Sequence, residues 1–225
     1  NQAGAAYLFK RQANNRWIQI RKFVAPDRAP GDQFGKNLDI DDDGFVIGAF
    51  HKDQGIGESQ LGAAYAIYCD DANCDLEQVT SVDLEKLVAP DQNSFEHFAW
   101  DAAISGKWIV CGKSGESDQP GGNSGSNTGA AYFFHRENNQ WVGKQKVYAP
   151  DFSAFAKFGR AIAMDGPVCV IGAGGESEDA NGQHTVSGAG AAYIYELQSD
   201  NKWMPVEKVI GTGRGIGDLL GEDAV

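Results

Sequence analysis

Three features of the sequence predict an all-β fold built from repeated antiparallel sheets. Short motifs recur at an almost constant interval, apolar and polar residues alternate in short runs, and no stretch keeps the apolar period of a helix. Glycine is also abundant, with 29 among 225 residues, which is about twice its usual share. Such a composition suits tight turns and closely packed strands.

Two motifs mark the repeat. Gly-Ala-Ala-Tyr begins at Gly4, Gly62, Gly129 and Gly190, and Ala-Pro-Asp begins at Ala25, Ala89 and Ala149. A phenylalanine follows each of these prolines by eight residues, and a glycine follows each phenylalanine by fourteen. Tryptophan precedes two of the prolines by nine residues, at Trp17 and Trp141, and Trp203 takes the matching position in the last copy. The intervals are 64, 60 and 62 residues.

Each repeat contains four predicted strands. Leu38 and Ile40 alternate with polar neighbours, which predicts a first strand with one buried face. A tight turn leads to a short apolar strand at residues 45–47, the third strand contains Gly-Ala-Ala-Tyr, and the fourth begins near the tryptophan, as in residues 141–147. Four antiparallel strands per repeat are typical of a β-propeller blade.

The repeats divide the chain into about 3.5 blades. Residues 1–30 are expected to form the C-terminal half of a blade, residues 31–91, 92–151 and 152–213 three whole blades, and residues 214–225 the first strand of the next blade. Propellers close with roughly four to eight blades, and open sheet edges are avoided. The chain is therefore expected to be part of a larger propeller or of an assembly.

The repeat also carries a family pattern. The pairs that form it are Phe34-Gly35 with Gly48-Ala49, and Phe158-Gly159 with Gly172-Ala173. Together with Gly-Ala-Ala-Tyr they make the chain resemble FG-GAP repeat proteins of the short-loop subtype, a group similar to the propellers of integrin α chains and of many secreted or surface proteins. The resemblance implies a seven-bladed propeller that lies outside the cell or on its surface. The second whole repeat departs from the pattern, with Phe98-Ala99 and Gly112-Lys113.

The integrin-type repeat often carries a calcium loop, and Asp39, Asp41 and Asp43 match its first half. The ninth position of that loop is Ile47 rather than an acid, and the segment is no longer than in the repeats that lack the acids. Calcium takes about six to eight oxygen ligands. An acidic hairpin turn is therefore favoured over a Ca²⁺ site, and no cofactor is expected.

Four cysteines bear on the compartment. Cys69 and Cys74 bracket four residues of an insertion between two strands, and we expect them to form a disulfide in an oxidising compartment. Cys111 and Cys169 lie on second strands and are interpreted as buried free thiols that face opposite sides of their blades.

Candidate ligand residues recur in the loops between second and third strands, where Glu58, Glu116 and Glu176 each stand between glycine and serine. They either form a rim of ligands for a cation or for glycan hydroxyls, or satisfy loop backbone groups, and the second interpretation is favoured. The three repeat tryptophans either stack on glycans or pack between blades, and packing is favoured because their place in the repeat is fixed. The aspartates after proline are interpreted as turn caps.

Charge and composition exclude several functions. The net charge of −12 argues against a nucleic-acid or anionic-membrane partner, and no apolar run approaches a membrane span. The four histidines are scattered over different repeat positions, and no phosphate-binding loop is present, so an enzyme is not expected. The sequence predicts a non-catalytic extracellular adhesion or structural module that binds proteins, or assembles with itself, through blade edges and loops. A glycan-binding propeller and an accessory domain of a secreted enzyme are the alternatives.

Overall fold

The computed structural model describes residues 2–53, 59–70, 75–118, 126–151 and 153–223. Within these ranges the chain forms fourteen strands and a single 3₁₀ turn, Ser81–Asp83, which stands where the other repeats have tryptophan. No helix in the described ranges could span a membrane. The predicted all-β fold is therefore confirmed.

The strands form one two-stranded and three four-stranded antiparallel sheets. The half-blade consists of β1 (Ala6–Arg11) and β2 (Trp17–Phe23). Blade 1 consists of β3 (Leu38–Ile40), β4 (Gly44–Ala49), β5 (Ala63–Tyr68) and β6 (Glu85–Leu87). Blade 2 consists of β7 (Phe98–Ser105), β8 (Trp108–Lys113), β9 (Ala130–Glu137) and β10 (Gln140–Val147). Blade 3 consists of β11 (Ile162–Asp165), β12 (Val168–Ala173), β13 (Ala191–Leu197) and β14 (Trp203–Val209). In each whole blade the strands lie side by side in chain order, as in a propeller blade.

The hydrophobic core lies between the blades rather than inside any one of them. Three clusters fill the junctions between the half-blade and blade 1, between blades 1 and 2, and between blades 2 and 3. In β4, Phe45 and Ile47 pack towards the half-blade, whereas Val46 packs towards blade 2. Because blades 1 and 2 are covered on both faces, their second strands are continuous apolar runs rather than strictly alternating ones.

The repeated glycines allow successive blades to approach closely. A Cβ atom on Gly112 would lie 1.8 Å from the carbonyl oxygen of Gly159, and one on Gly172 would lie 2.1 Å from that of Gly221. The glycine fourteen residues after each phenylalanine thus meets the residue that follows the next repeat's phenylalanine or its counterpart. The Phe-Gly pair of one repeat is therefore in contact with the Gly-Ala pair of the repeat before it, which explains why both pairs recur.

The start of blade 1 differs from expectation. Leu38 and Ile40 were expected on the buried face of a strand, yet both side chains are more than half exposed. They border a cavity of about 340 Å³ together with Tyr7, Phe9 and Trp17 of the half-blade. The two strands of the half-blade match the third and fourth strands of the other blades, and no inner strand among the described residues covers this face of β3.

The last repeat begins in the same way as the others. Gly190 forms an isolated parallel bridge to Leu220, as Gly62 does to Phe98 and Gly129 does to Phe158. After β14, the described residues form no further strand.

Candidate functional site

The most regular polar feature is a contact between the two repeat motifs. In every whole blade the tyrosine of Gly-Ala-Ala-Tyr donates to the aspartate of Ala-Pro-Asp. The pairs are Tyr65 with Asp27 at 2.5 Å, Tyr132 with Asp91 at 2.6 Å, and Tyr193 with Asp151 at 2.7 Å. A lysine near the end of the fourth strand joins each pair, and these lysines are Lys86, Lys146 and Lys208. Each aspartate comes from the loop after the preceding blade, so the contact connects neighbouring blades rather than simply capping a turn.

The electrostatics of this contact favour a fixed ion pair over proton transfer. Burial alone would raise the pKa of Asp91, but the hydrogen bonds from Lys146 and Tyr132 outweigh it and lower the pKa to about 2. Burial and the bond to Asp91 raise the pKa of Tyr132 far above its ordinary value. At neutral pH the aspartate therefore stays charged and the tyrosine stays a neutral donor, whereas an acid–base catalyst works best with a pKa near the working pH.

Two of the three candidate ligand glutamates lie in the interior. Glu116 is fully buried and accepts hydrogen bonds from Lys113 at 3.0 Å, Lys146 at 2.5 Å and Tyr132 at 3.1 Å. Glu176 is equally buried and accepts from Tyr193 at 3.2 Å and from the backbone N–H groups of the two residues after it. Glu58 lies outside the described residues. Glu116 and Glu176 thus act as internal acceptors and do not stand on an exposed rim.

Backbone hydrogen bonds identify the counterpart of these glutamates in blade 1. The N–H of Glu116 donates to the carbonyl of Lys113, and its own carbonyl accepts from Gly129. Glu176 makes the corresponding pair of bonds, and so does Lys52. Lys52 lies 3.0 Å from the buried carboxylate of Asp32. Blade 1 therefore places a lysine where blades 2 and 3 place a glutamate, which is not what a ring of repeated ligand carboxylates requires.

The acidic turn of blade 1 is engaged with backbone groups. Asp39 accepts from the N–H of Ile104 at 2.9 Å, and Asp41 accepts from those of Gly44 at 2.8 Å and Gly106 at 2.7 Å. Two of these three donors belong to blade 2, so the carboxylates join first strands of neighbouring blades. Among the residues described, no group of three or more acids, histidines or cysteines is placed to hold a metal ion.

A histidine pair lies at the junction of blades 1 and 2. The rings of His51 and His97 are 5.5 Å apart, and each bonds a glutamine at 2.7 Å. Burial, His51 and the nearby Arg160 together lower the pKa of His97 to about 4. Both histidines flank Phe50, which packs on Trp100. Sequence spacing did not reveal this cluster because its members occupy unrelated positions of two repeats.

The cysteines fall into two groups. Cys111 and Cys169 are buried and free, as expected, and burial raises the pKa of both thiols. Cys111 packs towards blade 1 and Cys169 towards blade 2, so both face the preceding blade and the expectation of opposite faces was wrong. Side chains two positions apart in a strand share a face, and Cys169 matches a position two residues before Cys111. Cys74 lies outside the described residues, so its disulfide with Cys69 stays a prediction.

The repeat tryptophans differ sharply in exposure. Trp141 and Trp203 are buried between blades, and Trp203 stacks on Phe133 at 4.6 Å. Trp17 is 65% exposed, which overturns the expectation that all three pack between blades. Among the residues that the structure describes, no blade packs against this face of the half-blade.

Neighbouring aromatic residues share this exposure. Tyr7 and Phe9 are 48% and 49% exposed, whereas their counterparts Tyr132 and Phe134 are 4% and 5% exposed. Tyr7, Phe9 and Trp17, continued by Leu38 and Ile40 of β3, are here called the open face. Large exposed apolar patches are rare on monomeric proteins and commonly mark interaction sites.

Comparison with known families agrees with this architecture. The model of the FG-GAP repeat matches residues 17–68, 82–134 and 141–195. Each match begins in or beside the fourth-strand region of one blade and ends in the third strand of the next, so the sequence unit joins two blades. No curated protein matches the chain. Because the matched segments cover more than half of its residues, the chain belongs to the FG-GAP repeat family.

Proposed function

We propose that this FG-GAP repeat chain is a non-catalytic interaction module that binds protein partners through the open face, outside the cell or on its surface. The observation that carries the proposal is the exposure of Trp17, Tyr7 and Phe9, whose counterparts in blade 2 are buried against blade 1. Burying such aromatic side chains is among the largest contributions to an interface.

The edge of the half-blade supports the same role. Among the described strands, β1 pairs only with β2, so the backbone groups on its other edge are open to another strand. An unpaired edge beside an apolar surface is a common docking place for another polypeptide.

The repeated polar groups support a structural role in place of catalysis. Two tyrosines of the Asp–Tyr–Lys contacts and the two buried glutamates are paired with one another in the interior, whereas the aspartates are part-exposed. Groups that are fully paired in the interior hold blades together and leave little capacity to bind or activate a substrate.

The extracellular location rests on the family and on the cysteines. FG-GAP repeats are typical of secreted and surface proteins, and a disulfide between Cys69 and Cys74 would require an oxidising compartment. Mass spectrometry of the non-reduced protein tests the second point.

Binding to an immobilised chain tests the proposal. The analytes are secreted and surface proteins of the source organism, with a glycan array as a second arm. Wild type is compared with Trp17→Ser and with Val82→Ser, which alters an exposed apolar residue away from the open face. We expect protein binding that Trp17→Ser weakens and Val82→Ser leaves unchanged. Binding that survives Trp17→Ser, or binding to glycans alone, would contradict the proposal.

A further inference from the structure

We propose that the open face docks head to tail on a second copy of this chain, on the face of blade 3 that points away from blade 2. Such docking would reproduce the junction between blades 1 and 2. This inference rests on the proposed interaction function and names its partner. It is carried by the residues that hold the internal junctions together and by their counterparts at the two uncovered faces.

An arginine and a tryptophan of blade 2 both donate hydrogen bonds to one glutamate of blade 1. Arg136 Nη1 donates to Glu85 Oε2 at 2.5 Å, and the backbone N–H of Trp141 donates to Glu85 Oε1 at 2.8 Å. Arg136 also pairs with Asp70 at 2.9 Å and lies over the Trp141 ring. The arginine side chain is mostly buried, so this is a desolvated and specific contact.

The junction between blades 2 and 3 has a polar contact at the corresponding position. Gln145 Oε1 accepts from the backbone N–H of Trp203 at 2.9 Å, and Gln145 Nε2 donates to the Trp203 carbonyl at 2.8 Å. Glu85 and Gln145 both stand two residues before the end of a fourth strand. That position therefore accepts the tryptophan of the following blade at both junctions.

The half-blade carries the arginine and the tryptophan without their acceptor. Arg11 lies opposite Trp17 in the register of β1 and β2, as Arg136 lies opposite Trp141 in blade 2. Both Arg11 and Trp17 are exposed. Arg11 makes no ion pair with any residue that the structure describes.

Blade 3 carries the acceptor without the arginine and the tryptophan. Glu207 stands two residues before the end of β14, is exposed, and forms no ion pair within the described part of the chain. The surface beside it is apolar and uncovered. Val168 and Val209 are 37% and 38% exposed, whereas their counterparts in blade 2, Trp108 and Val147, are 7% and 6% exposed.

The two faces are thus complementary in charge and in apolar character. Docking would bring Arg11 and the Trp17 N–H of one copy to Glu207 of the next, and would cover both apolar surfaces. Because different faces meet, the contact is heterologous and yields either a closed ring or a growing chain. Tyr7 gains no aspartate in this arrangement, since Gly213 stands where the other repeats have the aspartate of Ala-Pro-Asp.

Sedimentation velocity of the purified 225-residue chain over a range of concentrations tests the inference. We expect reversible association of the wild type that Arg11→Glu and Glu207→Arg each weaken by about tenfold or more. An equimolar mixture of these two variants should associate again, because each reversed charge then meets its opposite on the other variant. Arg28→Glu and Asp42→Arg reverse exposed charges outside the open face, so both variants should associate like wild type.

Each other outcome overturns the inference. A wild type that stays monomeric at high concentration, or single variants whose mixture stays apart, excludes head-to-tail docking of copies. If copies do not associate while other proteins still bind in a Trp17-dependent way, the second copy is the wrong partner and the proposed function stands. If Trp17→Ser changes neither kind of binding, both proposals fail. Circular dichroism of every variant ensures that loss of association is not loss of fold.

Discussion

Tyr132 joins two blades through Asp91: its hydroxyl donates a 2.6 Å hydrogen bond to a carboxylate in the loop that follows blade 1. The same pairing recurs at Tyr65 with Asp27 and at Tyr193 with Asp151. Tyr7 holds the same motif position in the half-blade, but it is half exposed and makes no such bond within the described residues. Tyr7 can therefore serve as a control for substitutions of Tyr132, because it holds the same repeat position without this hydrogen bond.

Removing this hydroxyl should destabilise blade 2. Tyr132→Phe leaves the charged acceptors Asp91 and Glu116 with one donor fewer, and hydrogen bonds to charged groups contribute about 1.5–3 kcal/mol. We expect the free energy of unfolding, measured by urea denaturation, to fall by that amount. Tyr7→Phe should change it by less than about 0.5 kcal/mol. Equal effects of the two changes would show that the contact to Asp91 contributes nothing.

The stabilisation from the hydrogen bonds to Glu85 should depend on an acceptor oxygen at this position more than on its negative charge. Glu85→Gln keeps an oxygen for the N–H of Trp141, as Gln145 does at the next junction, and should cost about 1 kcal/mol. Glu85→Ala leaves the mostly buried Arg136 and the Trp141 N–H with fewer partners, and should cost about 2–4 kcal/mol. Thermal unfolding of both variants measures the difference. A glutamine variant as unstable as the alanine variant would contradict this account.

The repeated glycine should not tolerate a side chain. Gly112→Ala would place its Cβ 1.8 Å from the carbonyl oxygen of Gly159 in blade 3, so the backbone must move, and we expect a loss of about 3 kcal/mol or more. Gly143→Ala is the matched control because its Cβ would only touch the Phe134 ring at 3.6 Å. That control should change stability by less than about 1 kcal/mol. Normal stability of Gly112→Ala would mean that the blades are further apart than described.

Asp101 should make stability depend on pH in an unusual direction. Burial raises its pKa from 3.8 to about 6, although the N–H groups of Ile162 and Ala102 donate to it. The folded state therefore binds the proton more tightly than the unfolded state, and stability falls as pH rises from about 4 to about 6. Relative to Asp101→Asn, wild type should lose up to about 3 kcal/mol over that interval. Chemical denaturation at several pH values measures it, with the exposed Asp42→Asn as control, and a difference that is constant with pH would contradict the assignment.

The sequence predicted the repeats, the strand order and the packing of Trp141 and Trp203, because regular spacing transfers directly to regular structure. It was also sufficient to predict that Cys111 and Cys169 are buried thiols. The prediction that Trp17 is buried was wrong for a physical reason. Burial of a side chain depends on what packs against its strand, and the residue pattern of one strand does not show whether another blade lies there.

The polar contacts were less accessible to sequence reasoning. Tyr132 and Asp91 are 41 residues apart, and spacing alone does not show which side chains meet across a junction. A signal was present, since a lysine also recurs one residue before the end of each fourth strand, as Lys146 does in β10. The glutamate pattern was misleading because Glu116 and Glu176 stand three residues after the end of their second strands, whereas Glu58 stands nine residues after the end of β4. Lys52 stands three residues after β4 and is therefore the counterpart of Glu116.

Hydroxyl-radical footprinting with mass spectrometry tests the central claim most directly, namely that each junction between blades buries the two faces that meet there, whereas the half-blade leaves one face open. In dilute solution Trp17 should be oxidised several times faster than Trp141 and Trp203, which occupy the same repeat position between blades. Equal oxidation of the three tryptophans, or protection of Trp17 in the dilute monomer, would contradict the account.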